Sequence, residues 1–324
     1  MSSPDPAPCA SVVIVEDAGA TQAFQPNPER VRRLVERGLT NLTGLASGAA
    51  AWRSLLSTQD VVGIKVFSGP GPNIGTRPAV VEAVVEGLLA AQLPPHHIII
   101  WDKQLDDLRR AGFADLAAKH GVRVAGAAQA GWDEKVFYDE LPLLGHLVHG
   151  DLEFGSTNEK AGRKSYVSKL LTKEITKIIH VSPLLNHNSA GVCGNLYGLA
   201  MGSVDNSLRF EGDPSRLAQA VPVIYALPVL GDRVVLNIVD ALVVQYEGER
   251  VGRLHYSTAL NQIRFSTDPV ALDVLSLQEL ARRRVGVEIP KHDGKTNELD
   301  LCRTASLLQI GISDPQRIQV ETLK

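Results

Sequence analysis

Short apolar runs alternate with helix-like stretches along most of the sequence, and this alternation restricts the fold more than any single motif does. Residues 11–15 (SVVIV), 60–67 (DVVGIKVF), 97–101 (HIIIW) and 122–125 read as buried strands. Between them, a helix opens at Asn27-Pro28 and runs to about Gly38, with proline at the first helical position. A second, unusually apolar helix covers residues 78–91, and its composition requires burial on most sides. An amphipathic stretch over residues 105–120 is broken at Gly112. The pattern resumes with strands at 175–181, 234–239 and 262–265, helices at 214–225, 269–284 and 299–309, and a last strand at 317–320. Strands that alternate with helices imply right-handed crossovers and parallel pairing. The predicted fold class is therefore α/β, with mainly parallel sheets flanked by helices.

Two α/β halves, 1–125 and 173–324, are expected on either side of an irregular insertion or bridge at 126–172. That segment mixes glycines, charges and aromatics, and residues 141–152 read as a strand pair. At 324 residues, the chain accommodates either two average domains or one continuous large one.

Composition removes several classes of function. The net charge is −3 and no basic cluster stands out, which argues against nucleic-acid binding. The run Arg282-Arg283-Arg284 ends a predicted helix, where cations complement the helix dipole. The three cysteines, Cys9, Cys193 and Cys302, are scattered and form no CxxC pattern. The first ten residues lack a basic segment followed by an apolar one, and no window approaches ~18 apolar residues. The expectation is a soluble, cytoplasmic protein without a signal peptide or membrane span.

The stretch most suggestive of a site is 177–206, KIIHVSPLLNHNSAGVCGNLYGLAMGSVDN. A strand-like piece leads to a loop that presents His187 and Asn188. Gly191, Gly194, Gly198 and Gly202 then recur at helical spacing, with Asn195 on the same stripe. Each glycine inside a helix costs roughly 1 kcal/mol relative to alanine, so something must approach that backbone closely. His187 reads as a general acid/base or metal ligand, because imidazole titrates near neutrality. Asn195 reads as a group that orients a substrate or stabilises an oxyanion. Asn188 is either a ligand contact or a helix N-cap. His180, inside an apolar strand, reads as a core histidine.

Other polar residues fall at strand ends, where open parallel sheets bind ligands. Lys65 lies inside an otherwise apolar strand and has three readings: a snorkelling side chain, a partner for an acid, or an anion contact. The loop after it (SGPGPNIGT) offers Ser68, Gly69, Gly71, Asn73, Gly75 and Thr76 ahead of a helix start, a setting that favours anions. It is neither a dinucleotide fingerprint nor a Walker loop, so it reads either as an anion cradle or as a tight connector. Asp102 and Lys103 follow the third strand. Asp240 and Asp268 are candidate ligands for a divalent metal, with Asp205 as a further carboxylate. Asp268 has a competing role, since S-T-D-P before an apolar run is a helix start.

Taken in order, these segments resemble the family catalogued as domain of unknown function 362. The carriers are VVGIKVF with its glycine loop, RPAVVEAVVEGLLAA, IIIWD, HNSAGVCGNLYG, NIVDAL, STDPVALDVL and IGISDPQRIQV. The likeness covers most of the chain. It implies an α/β fold and members sometimes joined to iron–sulfur ferredoxin modules, and it supplies no reaction. This chain has no cysteine-rich segment, so no iron–sulfur cluster is expected. It also carries Gly194 where members often place lysine before the asparagine.

Two functions from different classes fit this reading. In one, the protein binds or transforms a small anionic metabolite in a crevice between the halves. In the other it is a non-catalytic accessory protein for a cofactor or redox partner, and a protein partner or second copy covers the glycine face. Whether it is an enzyme stays open at this point.

Overall fold

The computed structural model describes residues 9–139, 164–211, 213–288 and 299–324. The expected strand pair at 141–152 lies outside the described residues. Among the described residues there are thirteen strands: β1 (Ala10–Glu16), β2 (Thr21–Gln22), β3 (Gln25–Pro26), β4 (Val62–Val66), β5 (Ile98–Asp102), β6 (Arg123–Gly126), β7 (Trp132–Asp139), β8 (Lys164–Ser168), β9 (Lys177–His187), β10 (Gly191–Val192), β11 (Val234–Gln245), β12 (Ser257–Ser266) and β13 (Ile318–Leu323). The helices are α1 (Pro28–Thr43), α2 (Gly48–Leu55), α3 (Pro78–Ala90), α4 (Leu105–Arg110), α5 (Phe113–His120), α6 (Ala127–Ala130), α7 (Asn195–Ser203), α8 (Leu208–Glu211), α9 (Pro214–Tyr225), α10 (Pro269–Arg284) and α11 (Asp300–Leu307).

Nine strands form one sheet in the order β13-β1-β12-β11-β9-β4-β5-β6, with β10 paired to β9. The neighbours from β11 to β6 are all parallel, as are β1 and β13, while β12 and β10 run antiparallel. The fold is thus α/β with a mostly parallel sheet. Strands on both sides of the insertion belong to this one sheet, and β1 lies between β12 and β13. The central strands β4 and β5 are buried at every position, as covering both faces of a parallel sheet requires. Helices α1, α2, α3 and α5 pack on one face, and α7, α9, α10 and α11 on the other.

Local signals explain many boundaries. Asn27 accepts a hydrogen bond from the Arg30 N–H and Pro28 opens α1. The helix continues past Gly38, because that glycine packs against the Phe265 ring, and it ends at Gly44 with φ +68°. Gly112, at φ +87°, separates α4 from α5 as the sequence predicts.

The stretch 177–206 differs from expectation. Strand β9 runs on through Pro183 to His187 and turns back into β10, so α7 begins only at Asn195. Gly191, at φ +79°, therefore sits in a strand pair, and Gly194 is the residue before α7. Only Gly198 and Gly202 are inside the helix. Strand β11 likewise continues to Gln245, so Asp240 lies within a strand and not at its end.

Candidate functional site

The glycines of α7 and its cap make room for the protein's own ionisable side chains. Lys65 on β4 is level with His180 on β9, which is level with Asn237 on β11, so three polar residues cross the sheet in one row. All three are fully buried. A Cβ on Gly198 would lie 3.2 Å from His180 Nε2, and one on Gly202 would lie 2.9 Å from Lys65 Nζ. One on Gly194 would lie 2.1 Å from Oδ1 of Asp273, a buried carboxylate on α10. The helix backbone is bare because three charged or imidazole groups press against it. Burial, helped by the neighbouring Lys65 charge, holds His180 well below the usual histidine range.

Lys65 pairs with Asp102 at the end of β5, Nζ to Oδ1 2.9 Å, and also donates to the Val66 carbonyl at 2.6 Å. Asp102 Oδ2 accepts from the Ser68 N–H at 2.8 Å and the Ser68 hydroxyl at 2.7 Å, and Oδ1 accepts from the Lys103 N–H at 2.8 Å. Burial opposes ionisation of Asp102, but the Lys65 charge and the Ser68 bonds outweigh it and hold the carboxyl below the ordinary range. Four of the residues singled out in the sequence thus form one connected group.

That group adjoins a crevice of about 340 Å³. It lies beyond the carboxyl ends of β4 and β5. The chain leaves β4 for β5 on one side, while β9 leads to β11 on the other, so this is the point where the strand order reverses. Open α/β sheets bind ligands at such points. Gly198, Met201 and Gly202 of α7 line the crevice, together with Phe67, Gly69, Asp102 and Lys103. Its outer wall carries Asp205, Ser207, Glu211 and Arg250. Lys103 Nζ donates to the Asp205 carbonyl at 3.1 Å and the Ser207 hydroxyl at 2.8 Å. Burial lowers its pKa, against the pull of Glu211, Asp205 and Asp102, and the Arg250 charge adds to the lowering. The Arg250 guanidinium lies over the Phe67 ring, 5.8 Å from its centroid.

The rest of the 68–76 loop is a built connector. Gly71, Gly75 and Thr76 spend their N–H groups on Ser68, Gly71 and Phe67 carbonyls, and the Asn73 carbonyl accepts from Arg77. Thr76 Oγ1 donates to the Val181 carbonyl and accepts from the Phe67 N–H, which ties β4 to β9. A Cβ at Gly75 would stand 2.4 Å from the Phe67 carbonyl oxygen, so glycine is required by close backbone approach.

His187 packs on Tyr197, which lines the crevice, with ring centroids 4.2 Å apart. Its Nδ1 accepts from the Ser189 and Ala190 N–H groups at 3.2 and 3.0 Å. Burial pushes its pKa down to about 4. Asn188 is in the β9–β10 turn and not at a helix start; its N–H donates to Glu249 at 2.7 Å. Asn195 is fully buried, with its N–H and side-chain amide both donating to Asp273 Oδ1 at 2.7 and 3.0 Å.

The structure does not bring Asp240 and Asp268 together. Asp240 is level with Ile263 on β12, and Asp268 lies five residues further along that chain direction. At ~3.4 Å per residue this separates them by more than a metal can bridge. Asp240 instead binds Arg77 through its N–H at 2.9 Å and its guanidinium at 3.0 Å. Asp268 caps α10 through the Ala271 N–H at 2.8 Å and also holds the Ile312 N–H at 2.8 Å. Among the described residues, the potential ligands close enough to share an ion are Glu82, Glu86 and His120, where Lys119 Nζ already sits 2.6 Å from Glu82.

Sequence reasoning passed over Tyr197, Ser207, Glu211, Arg250 and Asp273. Arg250 sits in a polar loop whose composition resembles any surface turn. Asp273 alone left a trace, as a carboxylate on the apolar side of a predicted helix.

The profile of the family described as Domain of unknown function (DUF362) matches residues 62–278, and the chain belongs to that family. The matched span begins at β4 and ends inside α10, so it contains the crevice and the buried row. No curated protein matches the chain. Among solved structures, a Thermotoga maritima protein determined as a structural-genomics target is similar at 11% identity and a TM-score of 0.46. The alignment covers 84% of this chain and 62% of that one, so the chain spans less than two thirds of its neighbour's length. Among the described residues, no helix is long and apolar enough to cross a membrane.

Proposed function

We propose that the crevice binds a small metabolite through an anionic group, phosphate or carboxylate, received by Lys103 and Arg250. The observation that carries this reading is Lys103, a partly buried ammonium whose two hydrogen-bond partners are neutral oxygens, a carbonyl and a hydroxyl. An ammonium has three donors, and only two of those on Lys103 are taken; the charges of Glu211, Asp205 and Asp102 lie nearby without a hydrogen bond to it, so an anion in the crevice would supply the direct charged acceptor. Asp205 and Glu211 share the same wall. Their carboxylates suit hydroxyl or amino groups elsewhere on the ligand, which favours a hydroxylated or amino-bearing molecule over a bare polyanion. Any proton transfer there would draw on Lys103, whose proton burial loosens, before His187, whose Nδ1 is taken by backbone N–H groups, or Asn195, whose amide is bonded to Asp273 and Ser182.

Isothermal titration of small hydroxy acids, amino acids and sugar phosphates into the full chain tests this. A ligand that binds the native protein is expected to lose at least ~10-fold in affinity in both Lys103→Met and Arg250→Met, following the loss of a charge-assisted hydrogen bond. A ligand indifferent to both changes, or no ligand in any class, would overturn the reading.

A further inference from the structure

The crevice carries charges of both signs that do not pair with each other. Of its lining carboxylates, Asp102 is neutralised by Lys65 and Asp107 by Arg110. Lys103 and Arg250 remain against Asp205 and Glu211, and none of these four makes an ion pair among the described residues. Asp205 is engaged by backbone, since its Oδ1 accepts the Tyr166 and Asn206 N–H groups at 2.8 and 2.6 Å. Glu211 is held far more loosely. Among the described residues its carboxylate meets two hydroxyls, Tyr197 at 3.4 Å and Ser207 at 3.5 Å, both longer than the ~2.5–3.0 Å of a normal O–H···O bond. A carboxylate so weakly occupied is open to a charged donor.

One hydroxyl measures the spacing of the two signs. Ser207 Oγ lies 2.8 Å from Lys103 Nζ and 3.5 Å from Glu211 Oε1. Cation and carboxylate thus stand a single hydroxyl apart, a separation that an acid and an amine on one carbon can span. An apolar surface adjoins them. Leu208 follows Ser207, is 77% exposed, and lies three residues before Glu211 on the same side of α8. A single exposed leucine is ordinary on a protein surface, but this one lines the crevice with Met201.

We infer that the ligand of the crevice is a free α-amino acid with an apolar side chain. Its carboxylate meets Lys103 and Arg250, its ammonium meets Glu211, and its side chain covers Leu208 and Met201. The inference rests on the anion reading of this crevice and adds the other two contacts. A zwitterion without net charge suits two cations faced by two carboxylates, whereas a polyanion would be repelled by Asp205 and Glu211.

The test is calorimetric titration of leucine and phenylalanine into the full chain, each beside its deamino counterpart, isocaproate or hydrocinnamate, with glycine in parallel. At least one of the two amino acids is expected to saturate, binding at least ~10-fold more tightly than its deamino counterpart and than glycine. Glu211→Gln should abolish the preference over the deamino acid while leaving the affinity of that acid unchanged. Leu208→Ser should abolish the preference over glycine. Leu208 is exposed and glutamine keeps an acceptor at position 211, so both variants should retain the native melting curve. Deamino acids that bind as tightly as the amino acids, with Glu211→Gln indifferent, would overturn the inference and leave the anion reading standing. Glycine binding as tightly as the larger amino acids would overturn it too. So would the absence of binding by either amino acid, and the hydroxy acids and sugar phosphates then decide separately whether the anion reading survives.

Discussion

A Cβ on Gly202 would stand 2.4 Å from Lys65 Cε, so the lysine lies in space that the glycine leaves open beneath α7. Lys65 has little freedom to withdraw, because its ammonium is held by Asp102 and the Val66 carbonyl. Gly202→Ala is therefore expected to destabilise the protein by about 1–3 kcal/mol through overpacking, despite the better helix propensity of alanine. The denaturant midpoint is the readout. An unchanged or raised midpoint would show that Lys65 moves freely and that the glycine is not there for it.

Removing Lys65 itself should be more damaging. Lys65→Met strands a buried carboxylate, and breaking a buried pair in this way costs about 3–5 kcal/mol. Pairing it with Asp102→Asn removes the charge and keeps an acceptor for one of the two N–H groups, Ser68 or Lys103, that the two carboxylate oxygens now serve. The double variant should be more stable than Lys65→Met alone. Strict additivity of the two losses would refute the coupling.

Asp273 closes the amino end of α7 from another helix, accepting the Asn195 and Leu196 N–H groups. Asp273→Ala should cost about 1–3 kcal/mol, and Asp273→Asn less, since one oxygen remains. Burial raises its pKa to about 6 against the lowering effect of those bonds. A carboxyl raised in the fold above its ordinary value contributes stability at low pH that is lost as pH rises from about 4 through about 6. The stability difference between the native protein and Asp273→Asn should therefore shrink over that window. Growth of the difference would mean that the helix N–H groups outweigh burial.

His187 has the opposite slope. Its folded pKa of about 4 lies below the ordinary 6.5, so its contribution is complete above pH 6.5 and is lost as pH falls toward 4. NMR of the imidazole should place its midpoint near 4, with the ring neutral at pH 7. A midpoint near 6.5 would show water reaching a ring that the Tyr197 contact is expected to keep dry.

Local chemistry made much of the frame readable. Asn27 before Pro28, Gly112 and Asp268 before Pro269 each specify a break or start through their own backbone preferences, and each is found doing so. The apolar runs at β4 and β5 reveal full burial because central parallel strands have no wet face. Partners distant in sequence were hidden. Nothing near Gly194 announces that Asp273 fills its space, and nothing near Asp240 announces Arg77. The continuation of β9 through Pro183 was obscured by a residue that ordinarily argues against a strand interior. The glycine stripe was legible as a demand for close approach, but the approaching groups belong to the protein itself. Lys65, Asp102 and Lys103 were found because charge in an apolar setting is conspicuous wherever it falls. Arg250, in a polar loop, and Glu211, at the end of the short helix α8, were not, because charge in polar surroundings is ordinary.

Strand β1, set between β12 and β13, ties the assembly of the molecule to its chain order. The Ser266 hydroxyl meets the Ser11 carbonyl across 255 residues of sequence. During synthesis β1 has neither neighbour until β12 and β13 have been made, so this margin of the sheet is completed late and by contacts of long range. Such contacts slow folding and leave an apolar strand waiting unpaired. A circular permutant that carries β1 after β13 would remove that wait and should refold faster than the native order.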